Sequence, residues 1–228
     1  MITVTEITDA NGLWENCKLL IAALKNAPEK GHFQWGSGGY GRMANGKGVY
    51  DKLGQLEVMN AAGVRTVPFT DDLAIAREWV ASGATVFGRF RDHTKGTDIT
   101  VNKVRNTTRS FWTKYVPSKE EWRIHSFDGL SIARWLKRYP PMPAVITEEI
   151  IRKRAAMYNA TARIEPPAGL RRFAHSMVKA CAPLTYGACD ILVGEDGRFY
   201  ALEVNTAPEL DDYTLDAHVR AVRRRFAR

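Results

Sequence analysis

Apolar and polar positions alternate most regularly near the end of the chain, in "GRFYALEVNTAPEL", Gly197 to Leu210. There Tyr200, Leu202 and Val204 fall on one side of a strand, while Ala201, Glu203 and Asn205 fall on the other. The preceding run "GACDILVG" alternates too, and Gly194 to Gly197 supplies a turn between them. A symmetric turn has its centre between Glu195 and Asp196, which sets Asp190 opposite Ala201 and diagonal to Glu203. Asp190, Leu192, Ala201, Glu203 and Asn205 then share one face, and Ile191, Val193, Tyr200, Leu202 and Val204 share the other. A second hairpin is predicted in "EWRIHSFDGLSIARWLK", where Asp128-Gly129 is a two-residue turn signal.

Helical spacing replaces alternation elsewhere. An apolar patch around Trp14 to Leu24 is helix-like. Leu53 and Leu56, followed by Met59 or Asn60, continue the pattern up to Gly63, and the "TVP" after it reads as a short extended segment. Asp71 or Asp72 can cap a helix through Leu73, Ala76 and Val80 that stops at Gly83, before the strand-like "ATVFGRF". Leu170, Phe173, Met177, Val178 and Cys181 form one apolar helical stripe suited to packing on a sheet. "HFQWGSGGYGRMANGKG" is dense in glycine and reads as loop. The pattern as a whole is α+β.

Composition narrows the classes. A chain of 228 residues with 45% hydrophobic content can bury a substantial core in one large domain or two small lobes. "LLIAAL", Leu19 to Leu24, is too short to span a bilayer and has no basic segment before it, so a soluble, cytoplasmic protein without membrane partners is expected. Cys17, Cys181 and Cys189 lack the spacing of a zinc site or a disulfide framework. The formal charge of +8 suits an anionic small substrate, a nucleic acid or a solvated basic surface, and charge does not choose among them.

Buried without partners, the carboxylates of Asp190 and Glu203 would be costly. Diagonal neighbours lie roughly 7 to 8 Å apart, near enough to share hard cations with the oxygen of Asn205. Oxygen-only ligands fit Mg²⁺ carried by nucleotide phosphates. A strand whose Glu203 and Asn205 face water gives the same pattern.

The run "YGACDILVGEDGRFYALEVNTAPEL" resembles the signature of ATP-grasp enzymes, the group that includes ribosomal-protein glutamate ligase, glutathione synthetase and D-alanine ligase. The resemblance covers roughly Tyr50 to Asp212 in the family's order, and it implies that Asp190, Glu203 and Asn205 bind the two magnesium ions of ATP, with Mn²⁺ as a substitute. "NTAP" is similar to the family's N-x-x-P turn, with Glu209 where a small residue is usual. "YDKLGQLEVMNAAGVRTVP" is similar to the helix before the ATP-grasp domain, whose phosphate-reaching lysine is matched by Lys52. "TVFGRFRDHTKGTDI" is similar to the strand and phosphate-covering loop: Arg89 stands for its lysine, His93 and Asp98 for two of its glycines, while Thr94, Gly96 and Ile99 agree. Arg89 keeps the charge and can fork onto phosphate. "FWTKYVPSKEEWRIHSFDG" resembles the hinge strand, implying adenine contacts from the backbone of Lys114, Tyr115 and Val116, a ribose contact from Glu121 and a catalytic role for Arg123 beside Arg89. Lys137 or Arg138 stands where the family places a phosphate-binding cation.

The resemblance implies two α+β lobes clamping ATP, divided as a shortened N-terminal segment 1–68, a lid lobe 69–112 and a core lobe 113–228 with the metal site. It implies an ADP-forming carboxylate-amine or carboxylate-thiol ligase that passes through an acylphosphate. Arg152, Lys153, Arg154, Arg163, Arg171 and Arg172 lie in the region that borders the acceptor site in relatives, so the substrates expected are a carboxylate and an amine acceptor, among them an acidic amino acid, a peptide or another anionic polymer. An ATP-grasp kinase and a basic nucleic-acid-binding protein that retains the fold are the alternatives. "GRMANGKG", Gly41 to Gly48, nearly fits the phosphate-loop pattern G-x-x-x-x-G-K-S/T, but Gly48 stands where a hydroxyl must hold magnesium.

Overall fold

The computed structural model describes residues 2–6, 15–35, 51–90, 99–104, 110–138, 142–143, 145–156, 159–182, 184–206 and 208–227. Along the chain run β1 (Ile2–Glu6), α1 (Glu15–Leu24), β2 (Gly31–Trp35), α2 (Lys52–Ala61), β3 (Phe69–Thr70), α3 (Leu73–Ala81), β4 (Val86–Phe90), β5 (Thr100–Val101), β6 (Ser110–Lys114), β7 (Ser118–Phe127), β8 (Leu130–Arg138), α4 (Glu148–Ala156), β9 (Asn159–Ala162), α5 (Leu170–Ala180), β10 (Tyr186–Gly194), β11 (Phe199–Asn205) and α6 (Asp212–Phe226). The mixed α+β pattern read from the sequence is the one observed. Among the described residues no helix is long and apolar enough to cross a membrane.

Helix ends follow the local chemistry. Asp51 caps α2 by accepting from the Gly54 N–H at 2.7 Å, and Asp72 caps α3 by accepting from Ala74 and Ile75. Asp211 and Thr214 form a reciprocal capping box at the start of α6.

Strands β11-β10-β7-β8-β9 form an antiparallel sheet, and β3-β6-β4-β5 form a smaller one. The turn between β7 and β8 puts Asp128 at φ 46° and Gly129 at φ 79°, the left-handed pair that a two-residue hairpin demands. One face of the five-stranded sheet is apolar: Trp122, Ile124, Cys189, Ile191, Ala201 and Val204 pack against Leu53, Leu56 and Met59 of α2 and Leu170, Ala174, Met177 and Val178 of α5. The smaller sheet packs Val86 and Trp112 against Ala76 of α3.

Two sequence expectations are corrected here. The segment read as glycine-rich loop begins with a strand: β2 pairs in parallel with β1, and Trp35 is fully buried, stacked on Tyr186 with centroids 5.6 Å apart. A parallel partner reached through α1 leaves no local turn signal. Residues 36–50, including the near phosphate-loop motif, lie outside the described residues.

The second correction is the β10–β11 register. Asp190 pairs directly with Glu203, Cys189 with Val204, and Ile191 with Ala201, the register shifting between Asp190 and Ile191. One extra residue on β11, Leu202, turns Ala201 into the core and leaves Leu202 partly buried at the core's margin. A symmetric turn cannot foresee a bulge in the middle of the ladder.

Candidate active site

The edge strand β11 is clamped before it presents any chemistry. Gln55 of α2 donates to the Val204 carbonyl at 3.2 Å and accepts from the Val204 N–H at 2.8 Å. The Ala201 N–H donates to Arg65 O, and the Val67 N–H donates to Ala201 O. These bonds close an otherwise open sheet edge and fix the height at which Glu203 stands.

Register then builds a row across the sheet. Glu203 pairs with Asp190, Asp190 with Arg123, and Arg123 with Trp135, and directly paired residues share a face. In the adjoining row on the same face, Glu121 of β7 pairs with Lys137 of β8. Arg123 forks onto Asp190 with two bonds of 2.7 Å, and Lys137 lies 3.1 Å from Asp190 and 2.6 Å from Glu121. Lys52, the first residue of α2, donates to Glu203 Oε2 at 2.6 Å.

The electrostatics follow from burial and pairing. Asp190 is only 5% exposed. Burial pushes its carboxyl pKa up, but Arg123 and Lys137 pull it further down, so it stays well below its ordinary value. Asp190 in turn raises the Arg123 pKa. Burial and the facing Asp190 raise Glu203, and the charge and hydrogen bond of Lys52 together with Arg123 bring it below its ordinary value. Burial depresses Arg89 on β4, while Glu203 and Glu121 act in the opposite direction. Its Nε is buried with no hydrogen-bond partner among the described residues. Four cations, Lys52, Arg89, Arg123 and Lys137, thus meet three carboxylates, Glu121, Asp190 and Glu203, and the surplus of positive charge suits a polyanion.

A cleft of about 460 Å³ lies between the two sheets, lined by Arg89, Lys114, Tyr115, Val116, Glu121 and Lys137 with the apolar Val67, Phe87, Met142, Ile151, Leu192 and Leu202. The chain passes from one sheet to the other at Lys114 to Pro117. There the N–H groups of Lys114 and Tyr115 are taken up by Pro68 and Thr85, and the Val116 N–H has no partner among the described residues.

The structure therefore brings Lys52, Arg89, Lys114, Tyr115, Val116, Glu121, Arg123, Lys137, Asp190, Glu203 and Asn205 to one region. Thr94 and Gly96 lie outside the described residues, as does the side chain of Arg138. Arg171 and Arg172 ride on α5, behind the apolar face and away from the carboxylates. Leu192 lines the cleft from the face on which the sequence placed it, whereas Leu202 as a cleft wall, and Trp135 beside Arg123, escaped the sequence reading. Only the register could have revealed them.

A cation fits the donors present. Among the described residues no three His, Cys, Asp or Glu side chains gather as a metal cage. Asp190 and Glu203 face each other, Asn205 lies two residues on along β11, and Oε1 of Glu203 has no hydrogen bond among the described residues. Two carboxylates and an amide suit an ion that keeps waters and takes further oxygens from a phosphate substrate.

No protein-family model and no curated protein matches the sequence. Solved structures do. D-cycloserine synthetase DcsG superposes with a TM-score of 0.64 at 17% identity, over 99% of this chain and 100% of that one. The ATP-grasp ligase PsnB, complexed with precursor peptide PsnA2 and AMPPNP, gives 0.57 at 16% identity over 78% of this chain and 60% of that one. D-alanine–D-alanine ligase from Bacillus anthracis gives 0.53 at 18% identity, over 77% and 68%. Across its structures the matched part spans 52% to 60% of the length of PsnB. At these identities the likeness is one of fold.

Proposed function

We propose that this chain, which has the ATP-grasp fold, is an ATP-dependent, ADP-forming ligase that joins a carboxylate to an amine or thiol through an acylphosphate. The observation that carries the reading is the direct pairing of Asp190 with Glu203 among Lys52, Arg89, Arg123 and Lys137, with Lys137 on the cleft wall in contact with Asp190. Opposed carboxylates amid surplus cations are expensive for a merely structural sheet face and suit a metal-bound polyphosphate.

Each group has a part. The Val116 N–H and neighbouring carbonyls meet the adenine edge between Leu192, Leu202 and Phe87, and Glu121 accepts from the ribose hydroxyls. Lys52, Arg89 and Lys137 hold phosphate oxygens. Asp190, Glu203 and Asn205 hold Mg²⁺, which when bound neutralises charge on the phosphates. Arg123 is committed to Asp190 and acts by holding that carboxylate in place. A substrate carboxylate oxygen bonds to the γ-phosphorus as the bond to the β-bridging oxygen breaks and ADP leaves. An amine then attacks the acyl carbon and phosphate departs. Positioning and charge do this work, and no protein nucleophile is needed.

The test is ADP release with magnesium over pooled amino acids and short peptides. Release that requires both a carboxylate and an amine supports the ligase. Phosphorylation of a hydroxyl without an amine would make the chain a kinase. Absence of release on every carboxylate, with nucleic-acid binding that falls steeply with salt, would replace both readings.

A further inference from the structure

The catalytic row does not stop at Arg123. Trp135 pairs with Ala162 on β9, and the next residue is Arg163. Ala162 stands two strand spacings, roughly 10 Å, from Arg123, and Arg163 follows it directly. The Arg163 backbone is left-handed, at φ 64°, an unfavourable region for a residue with a side chain.

The surroundings hold it there. Arg134 donates to the Arg163 carbonyl at 3.3 Å and to the Ile164 carbonyl at 2.7 Å. Glu165, just beyond, accepts from Arg134 and Arg171. The Arg163 guanidinium lies 4.9 Å over the ring of Tyr213, and that ring meets Trp135 edge-on at 6.1 Å. The capping box of α6 fixes Tyr213 in turn.

Among the basic residues of this region, Lys153 pairs with Glu149 and Arg171 with Glu165, whereas Arg163 has no carboxylate partner among the described residues. A guanidinium laid on an aromatic ring keeps its in-plane N–H fork open to a carboxylate.

We propose that Arg163, stacked on Tyr213 beside Trp135, anchors the free α-carboxylate of an amino acid or short peptide substrate, a carboxylate distinct from the one that is activated. The substrate's side chain lies against Trp135 and Tyr213, and its amine points along the row toward Asp190 and Glu203. This deepens the ligase reading and rests on it.

Calorimetry on the protein saturated with magnesium and a non-hydrolysable ATP analogue, titrated with the twenty amino acids, dipeptides and the carboxamide of each, tests the assignment. Free acids should bind and their carboxamides should not. Arg163→Ala should weaken binding about ten- to a hundredfold, with Arg163→Lys between it and the parent. Tyr213→Phe should bind as the parent does, and Tyr213→Leu more weakly. Affinity for the ATP analogue and the thermal midpoint should not move. Equal binding of acids and carboxamides, failure of every probe to bind, or acid binding unchanged in Arg163→Ala would overturn the inference. A fall in midpoint and nucleotide affinity together would overturn it too, by showing a structural role. Arg163-dependent binding without ADP release would reject the ligase and keep the anchor. ADP release with an unchanged KM in Arg163→Ala would do the reverse.

Discussion

The two faces of the five-stranded sheet are made by the same strands and behave as opposites. On one, Trp122, Ile124, Cys189 and Ile191 are closed by α2 and α5. On the other, Arg123 pairs with Asp190, Lys137 with Glu121 and Lys52 of α2 with Glu203. Burial of apolar area stabilises the first face directly. The second gains little, because desolvation offsets most of the Coulombic attraction of a buried pair. A sheet can therefore carry its stability on one side and its chemistry on the other, one residue apart in sequence.

The largest separation should come from a change on the charged face. Glu203→Gln should lower Mg·ATP-dependent ADP release by more than about a hundredfold while its thermal midpoint stays near that of the parent. Unchanged turnover at saturating magnesium would remove Glu203 from the metal site. The converse change, Met177→Ala beneath the apolar face, should cost about 2 to 5 kcal/mol in urea unfolding, with turnover per folded molecule preserved.

The covered end of the charged face offers a finer test. His125 lies two residues from Arg123 along β7, and both it and His218 of α6 are buried, their rings edge-on at 5.2 Å. Burial lowers the His218 pKa to about 4 and holds His125 well below its ordinary value, with His218 and Arg123 adding to the shift. The unfolded chain binds these protons first, near its usual value of about 6.5, so stability present at neutral pH is lost as pH falls from there toward 4. Each histidine contributes a slope of up to about 1.4 kcal/mol per pH unit. Urea midpoints between pH 7 and 5 should fall, and His218→Gln should flatten that fall. An equal slope in the variant would place the titration elsewhere, and Asp190 is no candidate because it stays ionised through the window.

The smallest effect compares cations across the cleft. Arg89→Ala should weaken ATP binding about tenfold, near 1.4 kcal/mol, and Arg89→Lys should retain most of it. If the lysine variant were as weak as the alanine variant, the fork of Arg89 rather than its charge would be what phosphate requires.

Much of this was already present in the sequence. Alternation marked β7, β8, β10 and β11, Asp128-Gly129 marked a turn, and Asp71 or Asp72 marked a helix start, because period, cap and turn chemistry act between near neighbours along the chain. Asp190 and Glu203 stood out for the same reason, as carboxylates on otherwise apolar strands. Their partnership did not. The bulge at Leu202 decides that Asp190 faces Glu203 rather than Ala201, and Gln55, 149 residues before the Val204 it bonds, clamps the strand that carries Glu203. Likewise β2 needs β1, and the stack of Arg163, Tyr213 and Trp135 draws on β9, α6 and β8. These depend on how distant backbone groups satisfy one another and how side chains fill the space left between layers, and only the assembled tertiary structure sets those terms.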